Sequence, residues 1–142
     1  MAGPIVTGTD GTETATTALK EAMRLAEAYG SELVIVSAYR PAGGGASGVP
    51  SEFADSMTPL SHVESVLDDA ANRARTAGLK VSTRAIQGDP GDAILDVAEE
   101  TGASVIVVGN KGISSAKRFV LGNVPSKIVH NARCSTFVVS TT

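Results

Sequence analysis

Apolar positions along the chain follow two alternating rhythms. Short runs rich in Val, Ile and other strand-forming residues occupy Pro4 to Gly8, Leu33 to Ala38, Lys80 to Ile86, Ser104 to Gly109 and Ser135 to Ser140. Between them, apolar residues recur at spacings of three and four, as on a helix with one buried face. Ala15, Leu19, Ala22, Ala26 and Tyr29 form one such set, and Val63, Val66, Leu67, Ala70 and Ala74 a second. Ile94, Leu95, Val97 and Ala98 form a shorter set, as do Val124, Ile128, Val129 and Ala132. The order is βαβαβαβαβ. This pattern predicts an α/β fold, with a parallel sheet carrying helices on both faces, because parallel neighbours need a crossover connection.

Turn residues support these boundaries. Gly30 and Gly78 follow helical patterns, and Gly102 follows the third, where a left-handed cap is expected. In Asp89-Pro90-Gly91-Asp92, Asp89 can cap a helix and Pro90 suits its first turn. The first, second and fourth strands are nearly continuous Val and Ile, as in strands covered on both faces. The third, KVSTRAI, alternates and carries Arg84, which predicts an edge. Arg40 to Pro59 is too rich in Gly and Pro for a helix and is expected to be a loop. No internal repeat divides the chain, and residues 1–142 are read as one domain.

A chain of 142 residues, 42% hydrophobic and 19% charged, has the composition of a soluble globular protein. Aromatics make up 4% and Trp is absent, which disfavours a base-stacking nucleic-acid surface. The lone Cys134 forms no internal disulfide, the N-terminus lacks a signal-peptide pattern, and no apolar run is membrane-length. A cytoplasmic protein with no nucleic-acid or membrane partner is expected. Net charge is −3, but no Asp or Glu follows Glu100, and Lys111, Lys117, Arg118, Lys127 and Arg133 all lie beyond it. Either an anion is attracted to the C-terminal part of the fold or these cations are an idle solvated surface.

The main candidate chemistry lies in Gly109-Asn110-Lys111-Gly112, followed after nine residues by Gly122-Asn123-Val124-Pro125. The segment starts where the buried strand SVIVVG ends and closes where the helix SKIVHNA begins. Glycines admit close backbone approach, and the free N–H groups of a helix start attract phosphate. The alternative is that these glycines are only turn punctuation. Asp10, closing the first strand, is either a ligand contact or a turn cap. There is no Walker pattern, and Gly43-Gly44-Gly45 opens no helix. His62 and His130 stand without partners at metal-ligand spacing, and Cys134 is expected to pack as a small hydrophobe. No nucleophile, base and acid can be grouped, so efficient catalysis is not expected.

The glycine spacing G-x2-G-x9-G resembles the phosphate- and ribose-binding signature of ATP-binding universal stress proteins. IVTGTDGTETA and KIVHNARCSTFVV are similar to that family's first strand and turn and its closing helix and last strand. VVGNKG, LGNVP and SAYRP are particularly similar to actinobacterial members associated with cyclic AMP. The resemblance covers essentially the whole chain outside the Gly-rich loop. It implies a five-stranded sheet of order 3-2-1-4-5, which brings Asp10 and Gly109 to one crevice at the switch point of the sheet.

By the same resemblance, Thr9 and Asp10 contact ribose or a phosphate-bound Mg²⁺, and Ala38 lines the adenine pocket. Val108 and Gly109 flank the ribose, Lys111 adds positive charge, and Gly112 lets the loop close. Gly122, Asn123, Val124 and Pro125 form the phosphate cradle. The family usually has Ser or Thr at Asn123, whose amide can donate a hydrogen bond and cap a helix but offers no hydroxyl. Ser135 replaces a usual Pro. The last strand, Ser135 to Ser140, is implied to form a homodimer by antiparallel pairing. Three readings remain open: a sensor or reservoir for ATP or cyclic AMP, a slow ATPase or autophosphorylating enzyme, and a dimeric stress protein that binds no nucleotide.

Overall fold

The computed structural model describes residues 3–40, 60–110 and 121–141. The expected loop at 40–59 falls outside this range except for Arg40. The strands are β1 (Ile5–Gly8), β2 (Leu33–Tyr39), β3 (Val81–Gln87), β4 (Val105–Gly109) and β5 (Ser135–Val139). The helices are α1 (Glu13–Tyr29), α2 (Leu60–Thr76), α3 (Pro90–Thr101) and α4 (Asn123–Asn131). Each strand bound lies within a residue of its expected position.

The five strands form one parallel sheet in the order β3-β2-β1-β4-β5. The edge position expected for β3 is what the sheet shows. Register runs through β1: Ile5 faces Leu33 on one side and Val105 on the other. Successive strand residues point to opposite faces, so a continuous apolar run supplies two cores at once. Ile5, Leu33, Ile35, Val105 and Val107 pack with Leu19, Ala22, Ala26, Val63, Leu67 and Ala70 of α1 and α2. Val6, Val34, Val36, Ile106 and Val108 pack on the other face with Ala93, Ile94, Val97 and Ile128 of α3 and α4. The result is a three-layer α/β sandwich. The one polar intruder in β1, Thr7, is fully buried and donates its hydroxyl to the Val107 carbonyl at 2.9 Å.

Helical periodicity overstates the apolar face in two places. Tyr29 and Val129 continue their patterns but lie largely exposed: Tyr29 is the last residue of α1, and Val129 is turned off the face that buries Ile128, while Ala132 beyond it still packs on the core. The start of the last helix also differs from expectation: the helix begins at Asn123, so GNVP is its first turn rather than a turn before it. The glycine caps are as expected, with Gly30 and Gly102 in the left-handed region after α1 and α3.

Asp89 caps α3, its Oδ2 accepting from the Asp92 N–H at 2.9 Å and from Lys127 Nζ at 3.1 Å. The Asp92 peptide N–H, and next Lys127, hold the Asp89 carboxyl below the usual carboxylate range. Replacing Asp89 with Ala is expected to reduce unfolding free energy by about 1 kcal/mol at neutral pH, read by urea denaturation. The folded-state pKa is the depressed one. The contribution is therefore complete above the unfolded carboxylate pKa and lost as pH falls through the folded value. Wild-type and Asp89→Ala stabilities should converge in acid, and a gap that persists there would contradict this role.

Candidate functional site

In this strand order β1 sends its chain one way, through α1 to β2, while β4 lies on its other side. Open α/β sheets form a crevice at such a switch point, beyond the carboxyl ends of the strands. Thr7 pairs with Val107, so continuing the register brings Thr9 level with Gly109. Gly8 pairs with Val36, which brings Asp10 level with Ala38. The Thr9 N–H donates to the Val36 carbonyl at 2.9 Å, which extends the sheet to the rim. The Gly122 N–H donates to the Asn110 carbonyl at 3.2 Å, which draws the start of α4 to the end of β4. Thr9, Asp10, Ala38, Val108, Gly109 and the run Gly122 to Pro125 are thus gathered at one end of the sheet. Lys111 and Gly112 lie outside the described residues, as do Lys117 and Arg118.

The turn after β1 is built from its own side chains. Thr9 Oγ1 accepts from the Gly11 N–H at 3.2 Å. Asp10 Oδ1 accepts from both the N–H and the hydroxyl of Thr12, at 2.9 and 2.6 Å. Thr12 in turn caps α1 by accepting from the Ala15 N–H at 3.3 Å. Asp10 is therefore a turn cap through one carboxylate oxygen, and its side chain is exposed at the rim.

The start of α4 is organised differently. Its N-cap is Gly122, in extended conformation, and among the described residues no side chain caps the helix. Asn123, a residue type able to cap, is here the first helical residue, and its exposed position leaves its amide at the rim. Pro125 has no N–H to leave unpaired in the first turn. Gly122 and Pro125 are buried, so the turn is seated firmly. A helix start of this kind carries partial positive charge and peptide donors, the requirements for an anion.

Two residues that sequence reasoning missed brace this arrangement. Asn110 donates its N–H to the Val139 carbonyl at 2.9 Å. Its Oδ1 accepts from the N–H and hydroxyl of Thr141, at 3.1 and 2.8 Å. With its carbonyl on Gly122, Asn110 ties together the ends of β4 and β5 and the start of α4. The motif GNKG drew attention to its glycines, and no local periodicity links residues 110 and 141.

The charge asymmetry read from the sequence is partly cancelled in space. Lys127 lies 3.1 Å from Asp89 and 2.9 Å from Asp92, and Arg133 lies 3.3 Å from Glu99. Asp92 first, then Asp89, raise the Lys127 pKa by holding its ammonium. Cys134 packs against the α3/α4 core, and burial pushes its thiol pKa up, which suppresses thiolate reactivity. His130 Nδ1 sits 2.7 Å from the Ser126 carbonyl of its own helix. Among the described residues no three His, Cys, Asp or Glu side chains are grouped to hold a metal ion, and no helix is long and apolar enough to cross a membrane.

This sheet order, with helices packed on both faces, defines a doubly wound α/β protein. Within that class the chain belongs to the universal stress protein family, whose model matches residues 1–140. Rv1636, a universal stress protein of Mycobacterium tuberculosis H37Rv, is 35% identical over 141 residues, covering 97% of this chain and 96% of that protein. YxiE, a universal stress protein of Bacillus subtilis, is 31% identical over 147 residues, covering 98% and 99%. Among solved structures, a universal stress protein in complex with cAMP is similar with a TM-score of 0.76 and 28% identity, and both chains are covered to 100%.

Proposed function

We propose that this protein binds an adenine nucleotide at the carboxyl rim between β1 and β4, with cyclic AMP favoured over ATP, and that it acts as a sensor or reservoir. The observation that carries this reading is the helix start at Gly122. Among the described residues its N–H groups have no side-chain cap, and it is held against the end of β4 by Asn110. Thr9 and Asp10 face the ribose from the opposite wall, Ala38 borders the base, and Val108 and Gly109 flank the sugar. Gly122, Asn123, Val124 and Pro125 receive the phosphate; Lys111, read as added positive charge, and Gly112, read as letting the loop close, lie outside the described residues.

Two features favour the cyclic nucleotide. The solved relative that holds cAMP matches this chain from end to end. Asn123 stands where ATP-binding members carry a hydroxyl. Mg²⁺ would have to arrive on a triphosphate, because one oxygen of Asp10 is already committed to Thr12 and a magnesium site wants several oxygen ligands. The same shortage of acid and base groups supports binding without efficient turnover. A slow ATPase or autophosphorylating enzyme is the rival reading, and a stress protein that binds no nucleotide is the other.

We also propose a homodimer through β5. This strand lies at the sheet edge, and its Phe137 is 39% exposed, so an unpaired ladder and an apolar side chain face outward together.

Calorimetry with cyclic AMP, AMP, ATP and ATP with Mg²⁺, followed by phosphate-release assays, separates the readings. Cyclic AMP is expected to bind near micromolar, about −8 kcal/mol, without release of phosphate from ATP. Gly122→Ala should weaken this binding and Gly122→Val abolish it, with the circular dichroism of both variants unchanged. Steady multiple turnover of ATP would favour the enzyme, and no binding to any nucleotide would leave the third reading. Light scattering at micromolar concentration is expected to give twice the chain mass, and a monomer would overturn the β5 pairing.

A further inference from the structure

Helix α4 is nine residues long, and its first turn is the proposed cradle. Its main packing partner is α3. The polar part of that contact is one cluster: Lys127 Nζ between Asp89 Oδ2 at 3.1 Å and Asp92 Oδ1 at 2.9 Å. Both carboxylates belong to the start of α3, and Lys127 follows directly on the first turn of α4. The lysine stem runs over the buried Gly91, where a Cβ would stand 2.8 Å from Lys127 Cδ. The ammonium therefore ties two helix starts together at the end of the sheet where Gly122 sits.

We propose that the Asp89–Lys127–Asp92 bridge is a positioning element for the nucleotide cradle: it fixes α4 on α3 and so aims the Gly122 to Pro125 turn at the phosphate. This inference rests on the nucleotide-binding reading. Lys127 acts through its helix and not by contact with ligand. The competing account treats Lys127 as a loose positive charge near an anion site. The two accounts predict opposite signs for Asp92→Asn. If only charge matters, removing a carboxylate makes the region more positive and tightens anion binding. If the bridge positions α4, the same change loosens binding.

The test is calorimetry of cyclic AMP with wild type, Asp92→Asn, Lys127→Met and Lys127→Arg at low and high salt, beside ligand-free thermal midpoints. Asp89 is left intact so that the α3 cap survives. Asp92→Asn and Lys127→Met are each expected to weaken binding about threefold, the scale of an exposed ion pair. Lys127→Arg should restore it, since a guanidinium can span two carboxylates. The gap between wild type and Asp92→Asn should close near 1 M salt, where screening acts within about 3 Å. Midpoints without ligand should change little. Equal or tighter binding by Asp92→Asn, while wild type binds normally, overturns the positioning role and leaves the nucleotide reading intact. A wild-type protein that binds no cyclic AMP overturns both.

Discussion

The pairing of β1 with both β2 and β4 is the constraint on which the rest of the molecule depends. β1 is only four residues long, yet it is the centre of the sheet and is buried on both faces. Val6 faces the α3/α4 core and Ile5 the α1/α2 core, while the Thr7 hydroxyl adds a bond to β4 beyond the ladder. Because the strands on its two sides belong to opposite halves of the chain, residues about a hundred positions apart meet at its end. The meeting of these turns is a consequence of that topology, and they are only as well placed as this pairing makes them.

Backbone groups dominate the described part of the rim. The Thr9 N–H extends the sheet on one side, the Asn110 carbonyl holds Gly122 on the other, and the α4 start presents peptide donors without a side-chain cap. Fixed dipoles of this kind favour an anion, which is the property that the proposed nucleotide site uses. The side chains that matter most here are braces: Asn110 to Thr141 and Lys127 to the start of α3.

Much of this was legible in the sequence, and the remainder failed for physical reasons. Strands and helices were readable because burial imposes periods that a linear sequence records, and the caps at Asp89, Gly30 and Gly102 were readable because their geometry demands particular residues. Strand order was not in the periodicity. It came with the family resemblance carried by the glycine motif. Tyr29 and Val129 misled because spacing alone fixes neither where a helix ends nor how wide its buried stripe is. A charge count along the chain does not register the acids that fold against the basic C-terminal segment, where Asp89 and Asp92 hold Lys127 and Glu99 holds Arg133. Asn110 was passed over because its partner lies in another strand's tail.

The central claim is that cyclic AMP sits against the uncapped helix start at the carboxyl rim. Backbone amide chemical shifts during a cyclic AMP titration test it most directly. Gly11, Gly109, Asn110, Gly122, Asn123 and Val124 should move together and saturate with one affinity, while Gly30, Gly78 and Lys80 at the opposite end of the sheet stay still. A saturable response confined to that opposite end, with the α4 start silent, would contradict the account.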